Sequence, residues 1–311
     1  MKIYKPFEED VPAKGVAALG FFDGVHIGHQ AILNKVKTEA AKLEATPLLL
    51  TLWPHPRIVL NKNTAELHLI NTLEEKTSLF SQNGLEHFVV IPFTEELSNY
   101  SAEAFFKHFF VDWLKLSKLI VGYDHHIGKN GTGDFESMQR LGDKYGISVE
   151  KIDALTSDDI SISSTKIRNL ITNGDVATAH KYLGYRYFIS GTVEYGNQLG
   201  RQIGFPTANI KVDNTNKLIP ADGVYAVNVI IDGFTHKGML NIGLRPTINN
   251  NLHKTIEVNI FDFNRTIYGC SISILFVERI RSEKKFESIE SLKFQLEQDK
   301  NIATKILNKI D

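Results

Sequence analysis

Short apolar runs alternate with segments of helical period along the first half of the chain. The runs have the composition of β-strands and lie at Val16–Phe22, Pro47–Leu52, Phe88–Ile91 and Leu119–Val121. A stripe of apolar residues with helical spacing lies between the first two runs, at Ile32, Leu33, Val36, Ala40 and Leu43. Strands and helices that alternate in this way predict a parallel, doubly wound α/β sheet.

Two further helices are predicted in this half, over Glu74–Gln82 and Ala102–Leu114. The second helix carries five aromatic side chains that must pack inward, at Phe105, Phe106, Phe109, Phe110 and Trp113. Parallel sheets bind ligands at the carboxyl ends of their strands. We therefore expect the chemistry in the loops after Phe22, Leu52 and Val121.

From about Tyr187 the chain changes to short β-rich runs separated by glycine, asparagine and aspartate. The runs are Tyr187–Glu194, Val224–Ile231, Ile256–Phe261 and Ser271–Val277. This half is predicted to form a small antiparallel β-barrel. The stretch Phe286–Lys309 is predicted to be a helix that closes against the barrel through Ile289, Leu292, Phe294 and Leu296.

The length of the chain, 311 residues, favours two domains with separate cores. We place the boundary after a predicted helical pair, Ser164–Asn173 and Val176–Leu183. The predicted domains are therefore residues 1–184 and 185–311.

The composition is that of an ordinary globular protein, with 42% hydrophobic residues, 23% charged residues and a formal net charge of -1. This charge predicts no bulk attraction to nucleic acid or to a membrane surface. The single cysteine, Cys270, excludes an internal disulfide and a cysteine-based metal cluster. No signal core and no long apolar stretch is found. We expect a cytoplasmic protein without an obligate protein partner.

A glycine- and histidine-rich motif, GFFDGVHIGHQ, follows the first predicted strand and spans Gly20–Gln30. His26 and His29 lie at the start of the next helix, where backbone N–H groups and two imidazoles can face one pocket. Nucleotidyl transfer needs such groups to offset the charge that develops as pyrophosphate leaves. A turn with two surface histidines explains a lone motif of this kind equally well.

A second motif, ISSTKIRNLITNG, spans Ile162–Gly174. Ser163, Ser164 and Thr165 precede or open a helix that also carries Arg168, and hydroxyls, amides and a guanidinium suit a triphosphate. A serine-capped amphipathic helix is the commoner explanation of such a segment alone.

Together the two motifs resemble the nucleotidyltransferase superfamily, and the ISST form resembles its FMN adenylyltransferase branch. The resemblance implies a Rossmann-like domain in which His26 and His29 act on the phosphates of ATP. It also implies nucleotide contacts along both motifs, at Gly20, Phe22, Asp23, Gly24, Ser163, Ser164, Thr165 and Arg168.

Two further loops match segments of that branch. In LTLWPHPRIVL the resemblance implies that Pro56 helps to shape the flavin side of the pocket, although a rigid loop would also explain the prolines. In IVGYDHHIGKNGTGD it implies that Gly122 and Asp124 contact the nucleotide. His125 and His126 depart from the family pattern, which has Phe and Arg there, and the alternative is that His126 is a solvent-facing loop residue.

The second half contains GNQLGRQIGFPTANI, in which Thr207 and Asn209 offer oxygen ligands at alternate positions. On an extended chain these side chains point the same way and suit Mg²⁺, although a turn between strands explains the motif equally well. No P-loop or protein-kinase signature is present.

This motif resembles the riboflavin kinase signature, GRxxGFPTAN, so the whole chain resembles the bacterial bifunctional riboflavin kinase/FMN adenylyltransferases (FAD synthetases). The resemblance implies that Thr207 and Asn209 hold Mg²⁺ with ATP and that Glu257 is the general base. Further substrate contacts are implied at Gly200, Arg201, Gly204, Phe205 and Pro206. On an alternating strand, Glu257 could instead simply point outward.

The implied function is flavin cofactor synthesis: ATP phosphorylates riboflavin to FMN, then adenylylates FMN to FAD and pyrophosphate, with Mg²⁺ in both steps. Two alternatives stay open. The altered loop at His125 and His126 would weaken adenylyl transfer and leave mainly a kinase. A flavin-binding regulator would retain the pockets without turnover, although sensing a ligand needs no general base.

Overall fold

The computed structural model describes residues 1–9, 11–12, 14–60, 67–122, 126–152, 156–157, 160–196, 199–246 and 252–309. Contacts within the chain divide it into two compact units, Met1–Ser164 and Thr165–Asp311. The predicted helical pair thus falls in the second unit. A functional boundary after residue 184 stays a prediction.

The first unit is built on a six-stranded, fully parallel sheet, as predicted. Its strands are β1 (Lys2–Tyr4), β2 (Gly15–Leu19), β3 (Thr46–Trp53), β4 (His87–Pro92), β5 (Leu116–Gly122) and β6 (Ser148–Ile152). They lie in the order β1-β4-β3-β2-β5-β6, so β2 occupies a central position with β3 and β5 as its neighbours. The apolar run predicted as the first strand continues to Phe22, but β2 ends at Leu19, where the chain turns.

Helices connect the strands of the first unit. They are α1 (Ile27–Lys42), α2 (Pro56–Leu60), α3 (Leu73–Gln82), α4 (Glu95–Ser98), α5 (Ala102–Phe105) and α6 (Phe135–Tyr145). A π-helical segment (Phe106–Trp113), a 3₁₀ turn (Lys129–Gly131) and two short strands, β7 (Thr156–Ser157) and β8 (Ile160–Ser161), complete the unit.

The predicted aromatic helix packs inward, but its winding differs from the prediction. Only α5 is α-helical, and the rest of the segment has the wider π-helical turn. The four phenylalanines are at most 4% exposed, and Trp113 is partly buried against the same core.

An ion-pair network attaches α1 to the sheet. Glu39, which is largely buried, lies 2.6 Å from Lys118 on β5 and also pairs with Lys35 and Lys42. Lys118 in turn lies 2.6 Å from Glu150 on β6. These cations lower the pKa of Glu39 from 4.5 to about 2. The network therefore favours the charged carboxylate in the folded state.

The second unit is a closed antiparallel barrel with helices, again as predicted. Its helices are α7 (Ser164–Thr172), α8 (Val176–Leu183), α9 (Leu199–Gln202) and α10 (Ile289–Leu307). The barrel strands are β9 (Phe188–Glu194), β10 (Ala208–Lys211), β11 (Gly223–Ile231), β12 (Phe234–Pro246), β13 (Leu252–Ile260) and β14 (Ser271–Arg281). They close in the order β10-β13-β12-β11-β14-β9, and two of them, β10 and β12, were not among the predicted runs.

The final helix packs on the barrel with a face that only partly matches the predicted one. Ile289 and Phe294 are 57% and 64% exposed, whereas Ala303 and Leu307 are buried in a cluster with barrel residues. Leu296 packs against the same cluster. Asp299, a polar residue at the centre of the helix, is fully buried. The prediction is thus right for Leu296, which packs on the barrel, and for Leu292, which lines a cavity there, and wrong for Ile289 and Phe294.

Replacement of Glu39 by Gln should make the free energy of unfolding less dependent on pH in the acidic range. Because the pKa of Glu39 is lowered from 4.5 to about 2, its stabilising contribution is complete above pH about 4.5 and is lost as pH falls towards about 2. Denaturant unfolding, measured from neutral pH down to pH about 2.5, should show a steeper decline for the natural protein than for Glu39→Gln. Glu44→Gln, at an exposed position just beyond α1, is the control and should keep the steep decline. Parallel curves for the natural protein and Glu39→Gln would contradict this assignment.

Candidate active sites

The turn after β2 has an unusual backbone. Phe22, Gly24 and Val25 have φ angles of 49°, 91° and 38°, all in the left-handed region. For the two non-glycine residues this conformation costs about 1–3 kcal/mol each, so surrounding contacts must hold it. Gly20 has no room for a side chain, since a Cβ atom there would lie 2.8 Å from the ring of Phe22. The first glycine of the motif is therefore required by packing.

The turn ends in a stacked pair of histidines. His26 is the N-cap of α1, and its Nδ1 accepts a hydrogen bond from the backbone N–H of His29 at 3.4 Å. The two rings stack with their centroids 3.6 Å apart. A Cβ atom on Gly28 would lie 3.1 Å from the His26 ring, so the glycine permits this approach. The spacing of the motif thus places both imidazoles together at a helix N-terminus.

Both histidines are neutral near pH 7. Burial lowers the pKa of His26 to about 4. Burial also lowers the pKa of His29 well below 6.5, with smaller contributions from the charges of His26 and Lys76. The imidazoles therefore offer neutral N–H donors, in addition to the amides of the α1 N-terminus, rather than the positive groups that the motif suggested.

Asp23 and Phe22, both predicted to contact the nucleotide, support the turn. Asp23 Oδ1 accepts hydrogen bonds from the backbone N–H groups of Ile70 at 2.9 Å and Asn71 at 3.2 Å. Phe22 is 2% exposed and packs edge-on against His29 and Phe80, with ring centroids 5.3 and 5.5 Å away. Direct contacts between these two side chains and a nucleotide stay predictions.

The serine-rich motif meets this turn at Ser164, whose Oγ donates to the backbone oxygen of Asp23 at 2.8 Å. Ser163, immediately before it, is half-buried. Thr165 and Arg168 lie further along α7 and belong to the second unit. Their roles, like that of the buried Gly24, stay predictions.

A cavity of about 350 Å³ lies at the carboxyl ends of β2, β3 and β4. Its walls are mainly apolar and include Leu19, Leu52, Pro56, Phe93, Phe105 and Ile127. Phe21 and His126 also line it, and the Phe21 ring lies 4.6 Å from the ring of His55. Gly122 ends β5, while Asp124 and His125 fall outside the described residues. The cavity has the size and the apolar character of a small-molecule site.

In the second unit, the GFPTAN motif forms a tight turn between α9 and β10. The backbone N–H of Phe205 donates to the oxygen of Gly200 at 2.8 Å, and a Cβ atom on Gly200 would lie 2.2 Å from the oxygen of Phe205. Gly204 has a φ of 85°, and Phe205 is buried. Arg201 and Pro206 are exposed on either side of this turn. The glycines thus set the entry into β10.

Glu257 and the two predicted metal ligands come together on the barrel. Thr207 Oγ1 lies 3.3 Å from Glu257 Oε2, and Asn209 is the direct cross-strand partner of Glu257. Directly opposed residues of antiparallel strands share one face of the sheet. Hard oxygen ligands grouped beside a carboxylate fit Mg²⁺, which completes its shell with water and phosphate oxygens. Asn209 also packs against Gly196, where a Cβ atom would lie 2.0 Å from its Nδ2.

Two cavities meet at Thr207. One, of about 280 Å³, is lined by Thr207, Glu257 and Asn241 and by Leu292 and Leu296 of α10. The other, of about 310 Å³, is lined by Thr207, Arg201, Pro206 and residues of the loop before β14. Glu257 lies on the strand face opposite to the buried Ile256 and Val258, and there it lines a cavity with residues of α10; its role as a base stays a prediction. A carboxylate on one side of Thr207 and a guanidinium on the other suit proton removal and phosphate binding.

Sequence reasoning missed two asparagines beside these cavities. Asn259 Nδ2 donates to the backbone oxygen of Pro206 at 2.6 Å, and Asn241 is the cross-strand partner of Glu257 on β12. A signal was available, because asparagine is uncommon within strands. In the first unit it missed Phe21 and the buried Lys76, a lysine in the apolar stripe of α3.

Arg281 at the end of β14 is bound to Asp299 of α10. Its Nε lies 3.0 Å from both carboxylate oxygens of Asp299, and its Nη2 lies 2.8 Å from Oδ2. Gln295 Nε2 donates to Asp299 Oδ1 at 3.0 Å. Arg281 also lines the smaller cavity, so this buried pair fixes the cavity wall. The side chain of Arg245 lies outside the described residues.

Comparison with known proteins covers both units. Two family models match, FAD synthetase over residues 8–166 and riboflavin kinase over residues 183–307. The bifunctional riboflavin kinase/FMN adenylyltransferase of Bacillus subtilis is 39% identical over 301 residues, which cover 96% of this chain and 94% of that protein. The chain belongs to the bifunctional riboflavin kinase/FMN adenylyltransferase family. The Escherichia coli member is 32% identical over 296 residues, which cover 94% of this chain and 93% of that protein.

A solved structure has the same fold along nearly the whole chain. The crystal structure of a macrolide-efflux protein from Streptococcus pneumoniae matches with a TM-score of 0.89, covers 97% of this chain and 98% of its own, and is 29% identical. Within the described part of the chain, no helix combines the length and apolar character needed to cross a membrane. For this member of the riboflavin kinase/FMN adenylyltransferase family, the two family segments coincide with the two candidate sites.

Replacement of Asp299 by Asn should destabilise the second unit by about 3 kcal/mol, since the change leaves the partly buried guanidinium of Arg281 without its counter-charge. Asp232→Asn removes the partner of Arg265 from a pair whose side chains are 56% and 59% exposed, and should cost at most about 1 kcal/mol. Denaturant unfolding of both variants, followed through the transition of the second unit, measures the difference. Equal costs would show that the Arg281 pair does not anchor α10.

Proposed function

We propose that this chain makes FAD from riboflavin in two steps. Residues 185–311 transfer the γ-phosphoryl group of ATP to riboflavin, which gives FMN and ADP. Residues 1–184 transfer the adenylyl group of a second ATP to FMN, which gives FAD and pyrophosphate. The observation that carries the proposal is Thr207 between two cavities, with Glu257 in one and Arg201 at the other. Family membership supports both steps.

In the kinase step, the flavin occupies the cavity under α10 and ATP occupies the cavity that Arg201 lines. The Glu257 carboxylate accepts the proton of the ribityl 5′-hydroxyl as the hydroxyl oxygen attacks the γ-phosphorus, and the bond from that phosphorus to ADP breaks. Thr207 donates to that carboxylate in the ligand-free protein, so the substrate hydroxyl replaces this hydrogen bond. Thr207 and Asn209 hold Mg²⁺. When bound, Mg²⁺ neutralises charge on the transferring phosphoryl group.

In the adenylyl-transfer step, the isoalloxazine ring occupies the apolar cavity beside Pro56. The N–H groups of His26 and His29 and the amides at the N-terminus of α1 bind the triphosphate, where charge increases as pyrophosphate leaves. Ser164 and the groups that follow it on α7 complete the phosphate contacts. A phosphate oxygen of FMN attacks the α-phosphorus of ATP, and the bond from that phosphorus to pyrophosphate breaks.

The net charge of -1 and the single cysteine support a cytoplasmic enzyme that acts on small molecules without an obligate partner. Two incubations test the function directly. Riboflavin, ATP and Mg²⁺ should yield FMN and then FAD in a chromatographic time course, and FMN, ATP and Mg²⁺ should yield FAD. Formation of FMN without FAD from either mixture would leave only the kinase. Binding of flavin without turnover would identify a regulator.

Glu257→Gln should lower the kinase kcat by about 10²–10⁴-fold, because the amide cannot accept the proton. Formation of FAD from supplied FMN should be unchanged, and denaturant unfolding of the second unit shows whether the variant is folded there. The matched control is Glu278→Gln, at an exposed position on β14, which should affect neither reaction. Substantial FMN formation by Glu257→Gln would refute the role of a base.

His126→Ala should lower kcat/KM for adenylyl transfer by about tenfold or more if His126 takes the part of the arginine found in the family, since a hydrogen bond to a charged group is lost. His126→Arg should retain or raise this rate, and the kinase rate should stay constant in both variants. Unchanged adenylyl transfer in His126→Ala would assign His126 to the solvent-facing rim of the cavity.

A further inference from the structure

Lys76 is a buried cation that neither reaction step above uses. Lys76 lies on α3 and is 3% exposed. Its Nζ donates a hydrogen bond to the backbone oxygen of Phe21 at 2.5 Å. Lysine is almost never buried to this degree without a compensating partner. Its place in the fold therefore calls for a physical reason beyond packing.

The oxygen that Lys76 binds lies between the apolar cavity and the turn that leads to the histidine pair. The side chain of Phe21 lines the apolar cavity, and the strained residues that begin at Phe22 lead directly to His26. Thr51 Oγ1 lies 3.5 Å from the same oxygen. The ammonium group thus holds the backbone between the cavity and the histidine pair.

Residues on α3 and just before it make further contacts with the turn. Ile70 and Asn71, just before the helix, donate to the Asp23 carboxylate, and Phe80 on the helix packs edge-on against Phe22. Phe22 contacts the ring of His29 in turn. Movement of α3 would therefore be transmitted to the phosphate-binding end of the site.

Lys76 also acts on the site through its charge. The groups that face it are the Asp23 carboxylate, the His29 imidazole and the ring of Trp53, whose centroid lies 5.4 Å from Nζ. The charge of Lys76 disfavours a second cation nearby and contributes to the lowered pKa of His29. Buried His29 Nδ1 makes no hydrogen bond within the described part of the chain.

We propose that Lys76 is a positioning residue for adenylyl transfer, which fixes the turn from Phe21 to His29 through its hydrogen bond to the backbone. The inference rests on the proposed function of the first unit. It assigns Lys76 an effect on the reaction through the residues that meet ATP, without contact between Lys76 and the substrate.

The protonation of Lys76 should make the rate of adenylyl transfer depend on pH. Burial lowers the pKa of Lys76 from 10.5 to about 8, against the opposing effect of Asp23. The ammonium is therefore present near neutral pH and is lost as pH rises through about 8, which weakens its hydrogen bond and removes its charge. Adenylyl transfer should fall over this range. Arginine at position 76 stays charged there, so the fall should be absent in Lys76→Arg.

The experiment compares Lys76→Met, Lys76→Arg and Lys37→Met in the full chain. Lys37 is the matched control, because its Nζ also donates to a backbone oxygen, that of Asn83 at the far end of α3. Lys76→Met should lower kcat/KM for adenylyl transfer by about tenfold or more. Lys37→Met should retain the rate. Denaturant unfolding of the first unit reports the folding of each variant, and the kinase reaction, which the second unit performs, should be unchanged.

Histidine NMR titration supplies a readout that does not depend on turnover. The pKa of His29 should rise in Lys76→Met and stay low in Lys76→Arg. An unchanged His29 titration, or wild-type adenylyl transfer in Lys76→Met, overturns the proposal.

If Lys76→Met does not fold, Lys76→Arg decides the proposal. A fall in its adenylyl transfer at alkaline pH overturns the proposal, and the absence of that fall supports it. If the natural protein forms no FAD from FMN, the proposed function fails, while the titration still decides whether Lys76 controls His29.

Discussion

The first site depends on a turn that a polypeptide chain ordinarily avoids. Left-handed φ angles at Phe22 and Val25 are unfavourable by themselves, and the surrounding contacts must outweigh them. The carboxylate of Asp23 does so through two backbone N–H groups, and the ammonium of Lys76 does so through the oxygen of Phe21. Only with this turn in place does His26 cap α1 and bring its ring against that of His29. Contacts from α3 and from the residues just before it therefore hold the turn that positions the two histidines.

The second site is organised by strand register rather than by strain. Pairing between β10 and β13 sets Asn209 opposite Glu257, and pairing between β12 and β13 sets Asn241 opposite the same residue. A slip of β13 by one residue would turn Glu257 to the other face of the barrel, away from Asn209 and Asn241. The cavity beside them has α10 as a wall, and a buried ion pair holds that helix through Arg281. Barrel and helix contribute different parts of one pocket.

The sequence predicted the central strands of the sheet, four barrel strands and both motif groups, because these have strong periodicity or unusual residue types. It could not reveal β1, which has only three residues. It missed β12, where Gly238 lowers the strand signal; yet a Cβ atom there would lie 2.7 Å from the oxygen of Asn259, so the glycine is required. For α10 the prediction was wrong at Ile289 and Phe294, which are exposed, and it did not anticipate that Asp299 is buried. Side-chain burial also made the histidines neutral, which no motif can indicate.

The position of Thr207 as a wall of both cavities in the second unit constrains how this protein can diverge. A larger side chain that narrows one pocket intrudes on the other, and a smaller one opens a passage between them. The two pockets therefore cannot be retuned independently at this position. Changes in substrate preference must arise at the outer walls, such as Leu292 and Leu296 on one side and Tyr268 on the other. Substitutions at Thr207 therefore alter both pockets, whereas substitutions in the surrounding helix and loop alter one pocket at a time.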